Sequence, residues 1–328
     1  MFHLLTRSYL LRMLPSSLPA SGKRLLQSLA IVLSGLALSG CALIMPATPK
    51  VSLLEPISHP VRFLLTFDDG PSASTWWSNS TETILSALEQ NPIQPGIKAL
   101  FFVQTRGATL RSPGRELLPR EYADGHLIGF HTATNGHQNH RFMSHEDFIA
   151  SLENGIADIR KVTGTAPNLV RPPSWNYDAR TFAAYQSYGM HVLLTDLSAN
   201  DGKIWGFNGS PRRRINLYNQ LSAMRPKMVG GQVPIVDEVI PVVVTFHDTN
   251  PYTARHMQEY LQILLDVAAE LNIPVSEQAF YKDRAAVERA ALARTIKSAS
   301  EKVVLPGIWS WIWGQVPDTG ASKVAAAR

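Results

Sequence analysis

The chain has 328 residues, 45% of them hydrophobic and 17% charged, which is enough apolar material for a sizeable core and excludes an intrinsically disordered chain. Its net charge of +5 is concentrated at the start, where Arg7, Arg12, Lys23 and Arg24 precede Cys41 without a single acid. The remainder therefore carries about +1, which excludes the basic footprint of a nucleic-acid-binding protein; no nucleic-acid partner is expected.

Residues 1–41 have the layout of an export signal. A basic region ending Lys23-Arg24 is followed by an apolar run, Leu25 to Leu38, too short to span a bilayer as a helix. The run closes on Leu38-Ser39-Gly40-Cys41, which resembles the lipobox of bacterial lipoproteins. That resemblance implies cleavage before Cys41 and lipidation of it. Cys41 is the single cysteine of the chain, so it cannot form an internal disulfide. The expected location is the cell envelope, anchored to a membrane through Cys41. Ala42 leans towards an outer membrane if the cell is Gram-negative.

Residues 42–60 are proline-rich and aperiodic, as a tether is. The folded domain is expected over 61–280. Its first strand, Leu64 to Phe67, runs into Asp68-Asp69-Gly70-Pro71, two adjacent acids and a turn. A helix follows from about Glu82 to Gln90, then strands Ala99 to Gln104 and Leu127 to His131. Glu146 to Val162 reads as an amphipathic helix with Phe148, Leu152, Ile156 and Ile159 on one face. Further on come a strand Asn168 to Arg171, a helix Arg180 to Tyr188 and a strand His191 to Asp196. A long insertion from about Asn200 to Glu238 precedes a strand Pro241 to Phe246 and a helix from about Ala254 to Leu271. Residues 281–328 form a C-terminal extension: a helix-forming stretch Lys282 to Lys302, then a segment with Trp309, Trp311 and Trp313 suited to packing or to a membrane interface.

Strands alternating with helices imply an α/β fold with a mostly parallel sheet, open or closed. In such folds the site lies at the carboxyl ends of the strands. Asp68-Asp69, His131, Arg171 and His247-Asp248 all follow predicted strands, so the fold would gather them at one rim. Carboxylate plus imidazole suits Zn, and also Co, Ni or Mn. An ion held this way with open positions acidifies water and polarises a carbonyl, which is the chemistry of metal-assisted hydrolysis of an acyl bond. The second acid of the pair is left free to act as a base.

The motifs resemble those of the polysaccharide deacetylase family of carbohydrate esterases, the NodB homology domain. Thr66-Phe67-Asp68-Asp69-Gly70-Pro71 looks like its first motif and Ala99-Leu100-Phe101-Phe102-Val103 like the following strand. His131-Thr132, Arg171-Pro172-Pro173 and Thr245-Phe246-His247-Asp248 resemble its histidine, arginine and closing motifs, in the family's order. The resemblance implies a distorted (β/α) barrel with fewer than eight units. The implied chemistry is removal of acetyl groups, from N-acetylglucosamine polymers or sometimes xylan. Carried over by position, Asp68 is the base, Asp69 and His131 bind the divalent metal, His247 is the general acid and Arg171 positions Asp68.

The chain departs from the family at four places. The family's second histidine ligand falls at Asn135, and a two-residue insertion would bring His137 into that role; His137 is favoured, with Asn135 and His140 as alternatives. Ser174-Trp175 replaces an aromatic-glycine pair beside the expected oxyanion donor. Thr245 replaces a leucine at the acetyl pocket, and either Asp196 or Asp201 could orient His247. Two other readings stay open: a glycan-binding protein with a lapsed site, and an esterase acting on O-acetyl groups. The chain has no Gly-x-Ser-x-Gly elbow.

Overall fold

The computed structural model describes residues 55–306 apart from 76–77, 107–110, 202–212 and 302. The export signal, Cys41, most of the tether and the three C-terminal tryptophans lie outside the described residues.

Eight parallel strands form one sheet. They are β1 (Val61–Asp68), β2 (Leu100–Gln104), β3 (Leu127–Thr132), β4 (Leu169–Val170), β5 (His191–Val192), β6 (Leu197–Ser198), β7 (Ile240–His247) and β8 (Val275–Phe280). The path is β5-β4-β3-β2-β1-β7-β6. β1 and β7 are buried at nearly every position because both faces of each strand are covered, and they pair over eight residues from Val61↔Ile240 to Asp68↔His247. The opposite edge of β1 is shared: β2 takes Thr66 to Asp68, and β8 takes Val61 and Phe63. The two ends of the path meet through residues 193–196, where Leu193 N–H donates to the Val170 carbonyl and Asp196 N–H to the Val243 carbonyl. The sheet therefore curls into a distorted (β/α) barrel.

Helices α1 (Ser80–Glu89), α2 (Gly114–Ala123), α3 (His145–Thr163), α4 (Ala179–Ser187), α5 (Arg213–Val229), α6 (Pro251–Arg255) and α7 (Met257–Glu270) surround the sheet, and α8 (Arg284–Ala293) packs against its inner cluster. α3 shows why these segments are helical. Ser144 caps it by accepting the Asp147 N–H, Gly164 ends it with φ 81°, and Phe148, Leu152, Gly155, Ile156 and Ile159 face the sheet. Burying each large apolar side chain of that stripe contributes roughly 1.5–3 kcal/mol. Gly155 is required by contact: a Cβ there would lie 2.1 Å from the Phe130 ring.

The barrel interior holds Leu64, Leu100, Phe102, Leu169, Leu193 and Val243, and α8 adds Val287, Ala290 and Ala291 to the same cluster. The first part of the C-terminal extension thus contributes to the inner core, although its helix stops at Ala293, short of the expected Lys302.

Other elements differ from expectation for physical reasons. The strand expected to Asp196 ends at Val192, because the Arg171 side chain takes the Leu193 and Leu194 carbonyls out of the ladder. The expected insertion contains α5, which buries Leu217, Leu221, Met224 and Met228 and tolerates Pro226 near its end. Arg213 and Arg214 are ion-paired to Glu259 and Glu270 at the two ends of α7. The helix over Ala254 to Leu271 is two helices parted at His256. Neither α2, with Pro119 inside it, nor β8, with exposed Glu277 and Gln278, carried a readable periodicity.

Candidate active site

The two acids at the end of β1 part company at once. Asp68 is the last ladder residue, while Asp69 turns left-handed with φ 73°, a conformation Asp tolerates better than most residues. Their carboxylates consequently enter different surroundings.

Asp68 is 2% exposed and its Oδ1 accepts from Arg171 Nη1 at 2.8 Å. The guanidinium is fully buried. It also donates to Thr66 Oγ1 at 2.7 Å and to the carbonyls of Leu193 and Leu194 at 3.1 and 2.8 Å, and it lies 4.4 Å over the Phe102 ring. Every face of the cation is therefore engaged, so its position is fixed, and it fixes Asp68. Thr245, where the family has leucine, turns its hydroxyl 3.2 Å from Thr66 Oγ1 within the same buried layer.

Asp69 points the other way. Its Oδ1 lies 3.2 Å from His131 Nε2 and 2.9 Å from His137 Nε2, and the two imidazole nitrogens are 3.0 Å apart. His131 Nδ1–H donates to the Arg171 carbonyl at 2.7 Å, which leaves Nε2 of the neutral ring as a bare lone pair. Apart from these two imidazoles, the buried Oδ1 has no hydrogen-bond partner among the described residues. Three lone-pair atoms this close repel one another unless a cation or a proton sits among them, and one carboxylate with two imidazoles is a donor set for Zn²⁺ and its neighbours. The residues present therefore fit a divalent metal. Burial pushes the Asp69 carboxyl up, yet the imidazoles of His131 and His137 against it, together with positive charge at His137 and His247, hold it well below the usual carboxylate range.

Of the three candidates for the third ligand position, only His137 enters this cluster. Its backbone is left-handed, φ 50°, and that turn carries the ring back towards β3. Asn135 is exposed. His140 is a core residue: its ring spans Tyr185 Oη at 2.8 Å and Thr132 Oγ1 at 3.1 Å, and burial, then the charges of His131, His137 and Arg180, push it down to about 3.

His247, at the end of β7, gives its Nδ1–H to Asp201 Oδ1 at 2.8 Å, and its Nε2 faces Asp69 Oδ2 at 4.0 Å. Burial pulls this histidine down, but the charge and hydrogen bond of Asp201, followed by the charges of Asp69 and Asp68, raise it to about 10. Asp201 is itself held by the His247 and Thr253 side chains and the His247 N–H. Asp196, the other candidate, is taken by Arg294 and the Val243 N–H and does not reach His247. Residues 172–176 wrap the rim, and both Ser174 and Trp175 are left-handed, φ 58° and 55°. A backbone that suits glycine is thus kept without glycine at a cost of about 1–3 kcal/mol per residue. The Trp175 N–H is occupied by the Pro172 carbonyl at 2.9 Å.

Two buried acids had not been given a role. Asp248 was visible only as the last residue of the closing motif. Glu121 is fully buried with neither oxygen paired among the described residues, and it carried no signal at all within its helix.

A curled parallel barrel thus carries a vicinal acid pair, two histidines beside one of the acids and an ion-paired histidine at one rim, a candidate metal site. Residues 59–193 match the family model described as polysaccharide deacetylase. The chain is 30% identical over 146 residues to a chitin deacetylase of Colletotrichum lindemuthianum, a match covering 44% of this chain and 54% of that protein. It is 27% identical over 159 residues to a peptidoglycan-N-acetylglucosamine deacetylase of Listeria monocytogenes, covering 48% of this chain and 30% of the relative. The chain thus spans about half or less of the length of these curated relatives. The solved Colletotrichum lindemuthianum chitin deacetylase aligns with a TM-score of 0.47 at 22% identity, over 67% of this chain and 86% of that one.

Proposed function

We propose that this chain is a metal-dependent deacetylase that hydrolyses N-acetyl groups of an N-acetylglucosamine polymer in the envelope or outside the cell. The observation that carries the reading is the convergence of Asp69, His131 and His137 between two prepared ion pairs, Asp68–Arg171 and His247–Asp201. The matched relatives named for chitin and peptidoglycan deacetylation support the substrate class.

Asp69, His131 and His137 would hold the ion, with Zn²⁺ the first candidate and Co²⁺, Ni²⁺ or Mn²⁺ alternatives. When bound, a divalent cation supplies Lewis-acid activation of water and of the acetyl carbonyl. Asp68 Oδ1 is engaged by Arg171, so its other oxygen takes the proton from the attacking water. The oxygen of that water bonds to the acetyl carbon. His247 presents Nε2–H, kept protonated by Asp201, and gives that proton to the nitrogen as the C–N bond breaks. Acetate and a free amine leave. A lipid anchor at Cys41 would place this activity on a membrane surface of the envelope; that part rests on the lipobox resemblance alone.

Incubating the protein, supplied with Zn²⁺ or Co²⁺, with acetylated chito-oligosaccharides should release acetate, and Asp68→Asn should abolish the release. Acetate release that survives in Asp68→Asn overturns the mechanism. Activity on acetylated xylan alone would move the reaction to O-acetyl esters with the same residues.

A further inference from the structure

In the β1–β7 ladder Asp68 lies opposite His247, so Asp69 and Asp248 leave the ladder side by side. Asp248 is completely buried. Its Oδ2 accepts from Thr81 Oγ1 at 2.6 Å, and Thr81 Oγ1 in turn accepts from the Ser72 N–H at 2.8 Å. The carboxylate therefore reaches through the first turn of α1 to the far side of the Asp69-Gly70-Pro71-Ser72 turn. It also lies directly against that turn: a Cβ built on Gly70 would fall 1.9 and 2.2 Å from its two oxygens. Gly70 has no positive φ, so what demands glycine here is the space Asp248 occupies. On the other side, the Gly70 carbonyl accepts from Gln104 N–H at 2.8 Å, and the Gln104 side chain donates to the Thr134 carbonyl in the loop that leads to His137.

We propose that Asp248 is a positioning residue for the metal site: clamped by Thr81, its carboxylate fixes the Asp69-Gly70 peptide so that Asp69 Oδ1 stays aimed at His131 and His137. The inference rests on the deacetylase reading only in taking that cluster as a cation site. The argument is geometric. Asp69 sits in a left-handed conformation between a strand that ends at Asp68 and a turn, and without a support its carboxylate would swing with that turn. Asp248 and Thr81 supply the support from β7 and α1, the elements on either side. Groups behind a ligand that hold its orientation typically change metal affinity by about 10–100-fold when removed. Asp248 Oδ1 and both Glu121 oxygens are buried without a hydrogen-bond partner among the described residues.

The test measures Zn²⁺ and Co²⁺ binding by calorimetry and by the Co²⁺ visible spectrum, alongside thermal melts and steady-state kinetics, for the full chain. Asp248→Asn and Thr81→Val should each weaken binding of either ion by tenfold or more and lower kcat with little change in KM, while Thr81→Ser should restore both. Gly70→Ala should weaken binding by forcing the carboxylate aside, and Gly70→Ala combined with Asp248→Ala should stay weak although the clash is relieved. Wild-type affinity and spectrum in Asp248→Asn and Thr81→Val overturn the proposal, as does full restoration in the double variant. A melting temperature that falls while ion affinity holds would mark Asp248 as structural only and also overturn it. Wild-type protein that binds neither ion would overturn the metal reading itself, a result distinct from variants that bind as wild type does.

Discussion

Arg171→Met is the substitution on which the fold and the candidate chemistry meet. Methionine can follow the aliphatic stem past Phe102 but leaves Asp68, 2% exposed, as a buried carboxylate without a partner. Breaking a buried ion pair from one side costs about 3–5 kcal/mol, because the surviving charge stays desolvated. The carbonyls of Leu193 and Leu194 lose their donors as well, each loss costing about 1–3 kcal/mol if water cannot enter. These contributions share one cation and do not add, so the expected total is about 4–6 kcal/mol. That is a large share of the roughly 5–15 kcal/mol that stabilises a typical domain. For a domain of this size it lowers the melting temperature by roughly 10–20 °C.

Urea unfolding followed by circular dichroism measures the loss, and a second substitution tests its origin. Adding Asp68→Asn to Arg171→Met removes the stranded charge and should recover about 2 kcal/mol or more. Zn²⁺ binding should survive in folded Arg171→Met, because the group that orients His131 is the Arg171 backbone carbonyl, which the substitution keeps. An unchanged urea midpoint in Arg171→Met, or no recovery in the double variant, would refute the account of the barrel's buried charge.

Other expectations are narrower. His137→Ala should reduce Zn²⁺ affinity by at least tenfold and Asn135→Ala should leave it unchanged, as measured by competition with a chromophoric chelator; the reverse order would reassign the third ligand. Asp201→Asn removes the main cause of the raised His247 value of about 10, so the histidine should lose its proton at lower pH and the alkaline limb of kcat should move towards neutrality; an unmoved limb would separate Asp201 from His247 function. His140, pushed down to about 3, stays neutral in the fold but charges in the unfolded chain below its ordinary value of 6.5. Stability should therefore fall between pH 6.5 and 3 by up to about 1.4 kcal/mol per pH unit from this residue, and His140→Phe should flatten that slope in urea titrations despite a lower stability at neutral pH. His126 is pushed down in the same way and adds to the slope in both proteins.

What could be read in the sequence was whatever depends on local pattern. β1 and β7 are long apolar runs because both of their faces are covered, and α3 is amphipathic because one of its faces is. The acids and histidines at strand ends followed from the alternation of elements. What could not be read depends on partners far along the chain. β5 ends at Val192 because Arg171 captures the next two carbonyls, and no strand propensity encodes that. Asp196 and Asp201 were indistinguishable by spacing. Arg294 from the C-terminal extension claims the first, and the second is left for His247 and Thr253. β8 is polar at its centre because it lies at an edge, so its alternation was too weak to mark it.

The third ligand position shows why a fixed residue spacing does not by itself locate a ligand. Counting four residues from His131 reaches an exposed asparagine and suggests a damaged cluster. Ligand geometry, however, is set by where an imidazole nitrogen ends up, and a loop can deliver it from a different count if its backbone can turn. Left-handed φ at His137 makes that turn, just as left-handed φ at Asp69 separates the two acids. Each such residue costs about 1–3 kcal/mol of strain, so neither conformation would persist without support. Thr134 gives that support on one side, through its carbonyl to Gln104 and its hydroxyl to the Gln138 N–H, and Asp248 with Thr81 gives it on the other. Strain at two points, each braced by polar contacts from neighbouring elements, is what lets side chains six residues or more apart in sequence meet in one cluster.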